Sequence, residues 1–258
     1  MDLVSFATNE FIGYILILFR VGSLMIAAPL LGSAVVPARV KIAASMVLAL
    51  LLVPVVHPII PQPLTLAYMV KVAASESVVG LLVGYSAGLI FVAVQLGGMQ
   101  VGQQMGTAMA SIFNPMLETQ DSLESQFFFL LTAFIYLAIG GHHILLASIV
   151  GSFKTLPIGA LVLSPRVLDM VIELFGYLFA IAFAISAPAV LALFLVTVAM
   201  GFVARTVPQM NILIVGFPVR ILVGTIVLLF TLPAIGHFIA RMIGTLLSGL
   251  PALVSGAV

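Results

Sequence analysis

The chain has 258 residues, of which 63% are hydrophobic and only 7% charged, whereas about a quarter of an ordinary soluble domain is charged. Nine Lys or Arg against eight Asp or Glu give a net charge of +1, which excludes a basic surface for nucleic acid and an acidic tail. The absence of cysteine excludes disulfides and thiolate metal sites. These numbers predict an integral membrane protein, for which we expect no nucleic-acid partner and no cofactor.

Charges and prolines divide the chain into about six apolar segments, each long enough to cross a bilayer at about 20 residues per crossing. We therefore predict an all-α integral membrane protein built of about six long apolar helices in helical hairpins. In chain order the segments are residues 11–36, 42–60, a third that begins near residue 71, 127–153, 174–204 and 221–240. A polar interval at residues 114–126 separates the third segment from the fourth, and a loop is expected at residues 205–220.

The third segment is too long for one membrane crossing, because residues 77–117 contain no charged side chain. As one helix this stretch would span roughly 60 Å, twice the hydrocarbon thickness of a bilayer. Lipid offers no partners for amide side chains or broken backbone. The polar half of the segment must therefore be buried in protein or line an aqueous path.

Two sets of glycines recur every four residues in this segment, and each set makes a smooth face that another helix can approach closely. Four glutamines are interleaved with the second set, which makes that face expensive to expose to lipid. Ordinary helix packing explains the first set equally well. The first set is Gly80, Gly84 and Gly88, the second is Gly98, Gly102 and Gly106, and the glutamines are Gln95, Gln100, Gln103 and Gln104.

Three methionines end the same segment and precede a helix-breaking Asn-Pro pair. Methionine is flexible and polarizable, so it can fill an irregular constriction and yield when something passes, although core filling is the commoner role of a single Met. The combination of Met, Gly and Gln predicts a deformable constriction. Its candidate residues are Met99, Gln103, Met105, Gly106, Met109, Ile112, Phe113, Asn114 and Pro115.

Two further patterns could indicate catalysis or metal binding, and we assign neither. Residues 84–88 match Gly-x-Ser-x-Gly, but the serine nucleophile of that motif needs a strand-to-helix turn with His and Asp partners, and here the motif lies in an apolar helical run. His142 and His143 have no Asp or Glu within ten positions, so we expect a capping or loop role. No catalytic residue and no metal site are predicted.

Arg20 and Glu76 lie inside apolar segments, where charged groups usually face a bundle interior and pair with an opposite charge. The sequence leaves open whether they contact each other or a group on another subunit. We therefore treat both as candidate partner-binding residues.

The densest local pattern lies between the fifth and sixth segments, where proline and glycine indicate a shaped loop and Arg, Gln and Asn supply directed hydrogen bonds. Such a loop favours binding to a protein partner, and contacts with anionic lipid are the alternative. The residues are Arg205, Pro208, Gln209, Asn211, Gly216 and Pro218.

Over most of its length the chain resembles the FliR family, the single-copy membrane component of the flagellar type III export gate. The most specific carriers are Arg205-x-x-Pro208-Gln209-x-Asn211 and Gly216-x-Pro218; the others are Arg20-Val21-Gly22, Pro29, residues 37–41, Glu76, Gly80, residues 97–106, Asn114-Pro115, Gly140-Gly141-His142 and Ala187-Pro188. Asn114 stands where the family usually has an acidic residue before the loop proline.

The resemblance implies a bacterial inner-membrane protein at the flagellar basal body that assembles with FliP and FliQ into a channel for unfolded protein, with FlhB near its entrance. It further implies a FliP-like part at residues 1–173 and a FliQ-like helical hairpin and tail at residues 174–258. Residues 105–121 would plug the closed channel. An enzymatic activity is not expected.

A secondary transporter for a small solute is the alternative, because broken helices and intramembrane polar residues also mark transporter sites. The two halves of the sequence show no matching interrupted helices, which argues against this alternative. Purification in mild detergent would separate the two hypotheses.

Overall fold

The computed structural model describes residues 3–58, 65–107, 122–161, 165–207, 209 and 212–255. This part of the chain contains seven α-helices and no strand. They are α1 (Leu3–Ala27), α2 (Ala38–Val56), α3 (Leu66–Met105), α4 (Leu123–Ala138), α5 (Gly141–Thr155), α6 (Pro165–Thr206) and α7 (Ile212–Ser255).

Five of these helices are long and apolar enough to cross a membrane, and α4 and α5 together count as a sixth, interrupted span. The prediction of an all-α integral membrane protein with about six apolar spans is thus confirmed. The five stretches are Asn9–Ala27, Ala38–Val56, Leu66–Met105, Val171–Thr206 and Ile214–Leu247. Three helices, α3, α6 and α7, have 40, 42 and 44 residues, so each is roughly 60 Å long or more, about twice the hydrocarbon thickness.

The fourth apolar segment, expected as one helix over residues 127–153, is instead two helices. The break falls at Ile139 and Gly140, where Gly140 adopts a left-handed conformation with φ of 71° and caps the start of α5. Glycine enters this region without steric cost, which explains the position of the break. His142 and His143 lie in the first turn of α5, with ring centroids 4.0 Å apart.

The expected loop at residues 205–220 is wrong, because α6 continues through Thr206 and α7 already begins at Ile212. Gly216 and Pro218 are therefore helical residues. Proline and glycine are tolerated inside membrane helices, where neighbouring groups satisfy the freed backbone. Because glycine and proline often end helices, the sequence pattern predicted too late a start for the last helix.

The chain divides into two compact units. Unit 1 comprises Met1–Leu89, Gly140–Leu174 and Ile243–Val258, and unit 2 comprises Ile90–Ile139 and Phe175–Met242. Helices α3, α6 and α7 each contribute residues to both. The FliR resemblance implies a FliP-like part that ends at residue 173 and a FliQ-like part that follows it. This division has other bounds than the two compact units, and it stays a prediction.

In unit 1, α1 and α2 pack against each other as a hairpin joined by residues 28–37. The Lys41 ammonium donates to the carbonyl oxygens of Gly32 and Ser33 at 2.8 and 2.9 Å, which ties the connecting turn to the start of α2. Pro54 lies inside α2, and the helix ends at His57 in a left-handed conformation. This hairpin forms the surface against which the first half of α3 packs.

In unit 2, the second half of α3 packs against α4, α6 and α7. Phe91 contacts Phe129 and Tyr136 of α4 edge to face, with centroids 5.8 and 5.5 Å apart. A second buried cluster joins the end of α3 to α6 and α7. Its members are Val101, Met105, Ala189 and Leu193, with Val227 and Leu228 packed against them.

Candidate functional site

Unit 1 contains a fully buried ion pair between α1 and α3. Arg20 Nε donates to Glu76 Oε2 at 2.5 Å, and neither residue has any exposed surface. The Arg20 guanidinium also donates to Ser152 Oγ at 3.2 Å and, from both Nη atoms, to the Leu156 carbonyl oxygen at 3.1 Å. The second Glu76 oxygen accepts from the Gly159 backbone N–H at 2.9 Å. Both charges are thus hydrogen-bonded on several sides, as burial requires.

The Arg20 guanidinium also lies 4.1 Å from the centre of the Phe153 ring, a cation–π contact. The sequence left open whether Arg20 and Glu76 pair with each other or with another subunit. In the structure they pair with each other, and their enclosure in unit 1 leaves neither side chain a surface for a partner to contact. Their role in this chain is to join α1, α3 and the segment that follows α5.

The first glycine set brings α3 close enough to α1 for this ion pair to form. A Cβ atom at Gly80 would collide with the Arg20 carbonyl oxygen, and one at Gly84 would lie 2.7 Å from the Ala27 Cβ. Gly88 is looser, because a Cβ there would lie 3.6 Å from the Ala27 carbonyl oxygen. Glu76 is one turn before Gly80, so the same close approach places its carboxylate beside Arg20.

The second glycine set faces the beginning of α4 in unit 2. A Cβ at Gly98 would lie 2.7 Å from Phe128 Cδ2 and 2.8 Å from the Glu124 carbonyl oxygen. A Cβ at Gly102 would lie 2.5 Å from Ser122 Oγ and 2.6 Å from Glu124 Oε2. Ser122 caps α4 by accepting from the Ser125 N–H at 3.2 Å. The capped first turn of α4 therefore lies directly on the glycine face of α3.

Helix α3 ends at Met105, and the next residue, Gly106, has a φ of 86°, a left-handed conformation suited to glycine after a helix. Its N–H donates to the Gly102 carbonyl oxygen at 2.9 Å. A Cβ at Gly106 would collide with the Phe217 ring of α7. One residue later, Thr107 Oγ1 donates to Glu124 Oε2 at 2.8 Å, with the Gly102 carbonyl oxygen 3.1 Å away. The end of α3 is thus fixed by both α4 and α7 within unit 2.

We call the Thr107–Glu124 hydrogen bond the clasp, because it joins the two ends of the segment 108–121. The sequence analysis did not predict this contact, because it treats Glu124 only as part of the polar interval at residues 114–126. The Ser122-x-Glu124 pattern of a capped first turn was the available signal, since acidic residues favour helix N-termini. Five predicted constriction residues, Met109, Ile112, Phe113, Asn114 and Pro115, lie outside the described residues.

The remaining predicted constriction residues divide between core and surface. Met105 is 3% exposed and packs in the unit 2 core, where a Cβ at Gly224 would lie 2.7 Å from its Cγ and Sδ atoms. This position corresponds to the core-filling alternative for a single Met. Gln103 is exposed, whereas the Gln100 Oε1 atom accepts from Ser186 Oγ at 2.7 Å.

The residues of the predicted partner-binding loop are distributed over two helix ends. Arg205 is exposed in the last turn of α6, Gln209 is exposed between the helices, and Pro218 is exposed within α7. Gly216 is buried. Pro208 and Asn211 lie outside the described residues.

The described residues contain no group of three or more His, Asp or Glu that could hold a metal ion. Ser86, the serine of the Gly-x-Ser-x-Gly pattern, lies inside α3 and donates to the Leu82 carbonyl oxygen at 2.7 Å. What this arrangement can do chemically is to hold helices in close contact and to fix the ends of one connecting segment.

Comparison with known proteins identifies a family and relatives that cover most of the chain. The family described as bacterial export proteins, family 1, matches residues 11–246. The flagellar biosynthetic protein FliR of Bacillus subtilis (strain 168) is 33% identical over 230 residues, which are 87% of this chain and 88% of that protein. FliR of Escherichia coli (strain K12) is 26% identical over 92% of this chain and 91% of its own length.

A relative named for protein translocation also matches the chain. The Yop proteins translocation protein T of Yersinia pestis is 27% identical over 155 residues, which are 59% of each chain. The flagellar relatives match over a greater length. The chain belongs to family 1 of the bacterial export proteins and, within it, to the FliR family.

Proposed function

We propose that this chain is the single-copy FliR-type component of a flagellar type III export gate in the bacterial inner membrane, at the flagellar basal body. There it assembles with FliP and FliQ into a channel that conducts unfolded protein, and FlhB lies near the channel entrance. Relatives named for flagellar biosynthesis and for protein translocation support this role. The proposed activity is conduction and closure, without catalysis.

The observation that carries the closure part of the proposal is the clasp. A segment of 14 residues, 108–121, connects Thr107 to Ser122 in the sequence, and the Thr107–Glu124 hydrogen bond holds its two ends together. The segment carries Met109, Ile112 and Phe113, apolar side chains that can fill a narrow passage. In this proposal the plug lies within residues 105–121, Met105 anchors its start in the unit 2 core, and the clasp joins the two ends of the segment.

The need for partners is supported by the apolar surface of α6. In unit 2, exposed large apolar side chains extend from Phe175 to Phe202, roughly 40 Å along the helix. The hydrocarbon core of a bilayer is about 30 Å thick. A helix at a typical tilt cannot place this whole surface in lipid, so protein subunits such as FliP and FliQ would cover the remainder.

The positions that we propose for the two parts of the chain follow from their resemblance to FliP and FliQ subunits. Residues 1–173 would occupy a position like that of a FliP subunit, and residues 174–258 a position like that of a FliQ subunit. Exposed groups at the end of α6 and the start of α7, Arg205, Gln209 and Pro218, would contact a neighbouring subunit.

Assembly is tested by expressing the tagged full chain with and without FliP and FliQ, purifying it in mild detergent and measuring the intact mass. We expect a mixed complex with one copy of this chain when the partners are present, and poor recovery when they are absent. Recovery of a stable monomer that binds neither FliP nor FliQ would overturn the proposal.

The plug is tested separately in the assembled complex by deleting residues 108–114, which leaves Thr107 and Glu124 in place. We expect normal recovery of the complex together with increased leakage of ions and small solutes. Normal recovery with unchanged leakage would contradict the plug while leaving the assembly proposal intact.

The second candidate, a secondary transporter, is favoured by one observation: the apolar span formed by α4 and α5 is interrupted at Gly140. Interrupted helices surround the substrate sites of many transporters. A transporter would be recovered from mild detergent as a monomer or a symmetric oligomer, so the mass measurement above distinguishes the two functions.

A further inference from the structure

Unit 1 contains an apolar groove between α1, α2 and the first half of α3. Its volume is about 500 Å³, within the range of about 300–1,000 Å³ typical of sites for small molecules. Large apolar side chains form its walls, among them Leu18, Phe19 and Ile26 of α1 and Met46 of α2.

The groove wall also contains three serines, but none of them offers its hydroxyl proton to a ligand. Ser23 donates to the Arg20 carbonyl oxygen at 3.0 Å, Ser45 to that of Lys41 at 2.7 Å, and Ser77 to that of Ala73 at 2.9 Å. All three hydroxyls therefore point back to their own helices, and the lining behaves as an apolar surface.

One cation lies in this apolar lining. The Lys41 ammonium has three N–H bonds, and two of them are used by the carbonyl oxygens of Gly32 and Ser33. In the part of the chain that the structure describes, nothing accepts the third. Arg39, two residues earlier, is exposed and adds a second positive charge to the same helix end.

A second apolar hollow of about 400 Å³ shares two lining residues with the groove, Phe19 and Ser77. It extends along α3 past Ala74, Ala73, Val70 and Met69. The Phe19 ring, 46% exposed, thus borders two neighbouring apolar hollows in the same unit.

We infer that this groove binds an anionic phospholipid, with the phosphate on the Lys41 ammonium and the acyl chains in the two hollows beside Phe19. An amphiphile matches the arrangement of one cation beside an apolar wall, and a molecule with two chains matches two adjoining hollows.

The inference can be tested by substituting Gly22, which lines the groove, because a Cβ atom there would meet nothing within 4 Å. Gly22→Leu therefore has open space at its Cβ atom, and its side chain occupies volume in the groove. Gly151→Leu is the matched control, since Gly151 lies in the same unit, is equally free of neighbours and lies outside the groove. Lys41→Gln removes the charge but keeps N–H donors for Gly32 and Ser33.

The measurement is native mass spectrometry of the full chain, purified with whatever complex it forms and supplied with dioleoyl phosphatidylglycerol or dioleoyl phosphatidylcholine. We expect retained phosphatidylglycerol in preference to phosphatidylcholine, and a loss of about fivefold in that preference for Lys41→Gln. Gly22→Leu should abolish retention of both lipids, whereas Gly151→Leu should retain them as the wild type does. Equal retention by the wild type and Gly22→Leu would overturn the inference.

A photo-crosslinking amino acid at Met46, an exposed residue of the groove wall, identifies the occupant in the cell membrane. We expect a lipid adduct. An adduct to a polypeptide would overturn the inference and assign the groove to a protein contact.

Discussion

Arg20 and Glu76, 56 residues apart in the sequence, form a buried ion pair between α1 and α3. Three further groups complete the coordination of the two charges: Ser152, the Leu156 carbonyl and the Gly159 N–H. Both side chains are enclosed, so these contacts replace the water that each charge loses on burial. Removing one charge would leave the other buried without compensation.

We therefore predict that Arg20→Met or Glu76→Gln alone destabilises the protein by about 3–5 kcal/mol, because each leaves an uncompensated polar group in an apolar interior. The double variant should recover part of this loss, since it contains neither charge and so leaves no buried charge unpaired. The measurement is the recovery of folded protein after heating in detergent, arranged as a double-mutant cycle. Independent, additive losses would contradict a direct interaction.

The ion pair shows how far the sequence could predict the site. Charged residues in apolar segments need partners, so Arg20 and Glu76 could be recognised individually. Which groups they bind depends on contacts between residues far apart in the chain, and the sequence left two alternatives open. The glycine spacing predicted close helix approach but could not identify α1 as the neighbour of Gly80 or α4 as the neighbour of Gly102.

The fold, like the site, could be predicted only in part from the sequence. Apolar length predicted the number of spans, because crossing a bilayer requires about 20 apolar residues. Helix ends were harder to predict, because glycine occurs both at the helix break at Gly140 and inside α7 at Gly216. A glycine that breaks a helix and one that stays inside it look alike in sequence, and the difference lies in whether surrounding groups satisfy the backbone.

Close packing at the second glycine face can be tested with two glycine substitutions that should change the stability in opposite directions. Gly98→Ala places a Cβ against the Glu124 backbone oxygen and the Phe128 ring, so we predict a loss of about 1–3 kcal/mol. Gly201→Ala, in α6, meets nothing within 4 Å and should stabilise its helix by up to about 1 kcal/mol. Thermal midpoints of the two purified variants are compared with that of the wild type. Similar shifts for both would argue against close packing at Gly98.

Met105 and Gly224 contact each other, so we predict that a larger residue at position 224 compensates for a smaller one at position 105. Met105→Ala should cost about 2–5 kcal/mol by leaving a cavity in the unit 2 core. Gly224→Val alone should crowd the Met105 side chain, whereas the combined variant should be more stable than the sum of the two losses, because the valine fills the cavity. Stability of the three variants in detergent measures this coupling. Strict additivity would show that the two positions do not share space.

Arg205 is expected to contact a partner rather than this chain, since it is exposed at the end of α6. Arg205→Ala should weaken co-purification of FliP and FliQ by about 2 kcal/mol if the guanidinium is a central contact, while leaving the helix content unchanged. Lys71→Ala is the control, because it removes another exposed cation from α3. Wild-type recovery of the complex from the Arg205 variant would remove this residue from the interface.

The clasp predicts leakage without misfolding. Thr107→Val keeps the shape of the side chain but removes the hydroxyl that donates to Glu124 Oε2, a hydrogen bond to a charged group worth about 1.5–3 kcal/mol. Thr231→Val is the matched control, because the Thr231 hydroxyl donates only within its own helix, to Val227 at 2.8 Å and Leu228 at 3.3 Å. We expect the Thr107 variant to assemble normally yet to pass ions more readily than the control, measured as conductance of the assembled complex in planar bilayers. Equal conductance of the two variants would mean that segment 108–121 stays in place without the clasp.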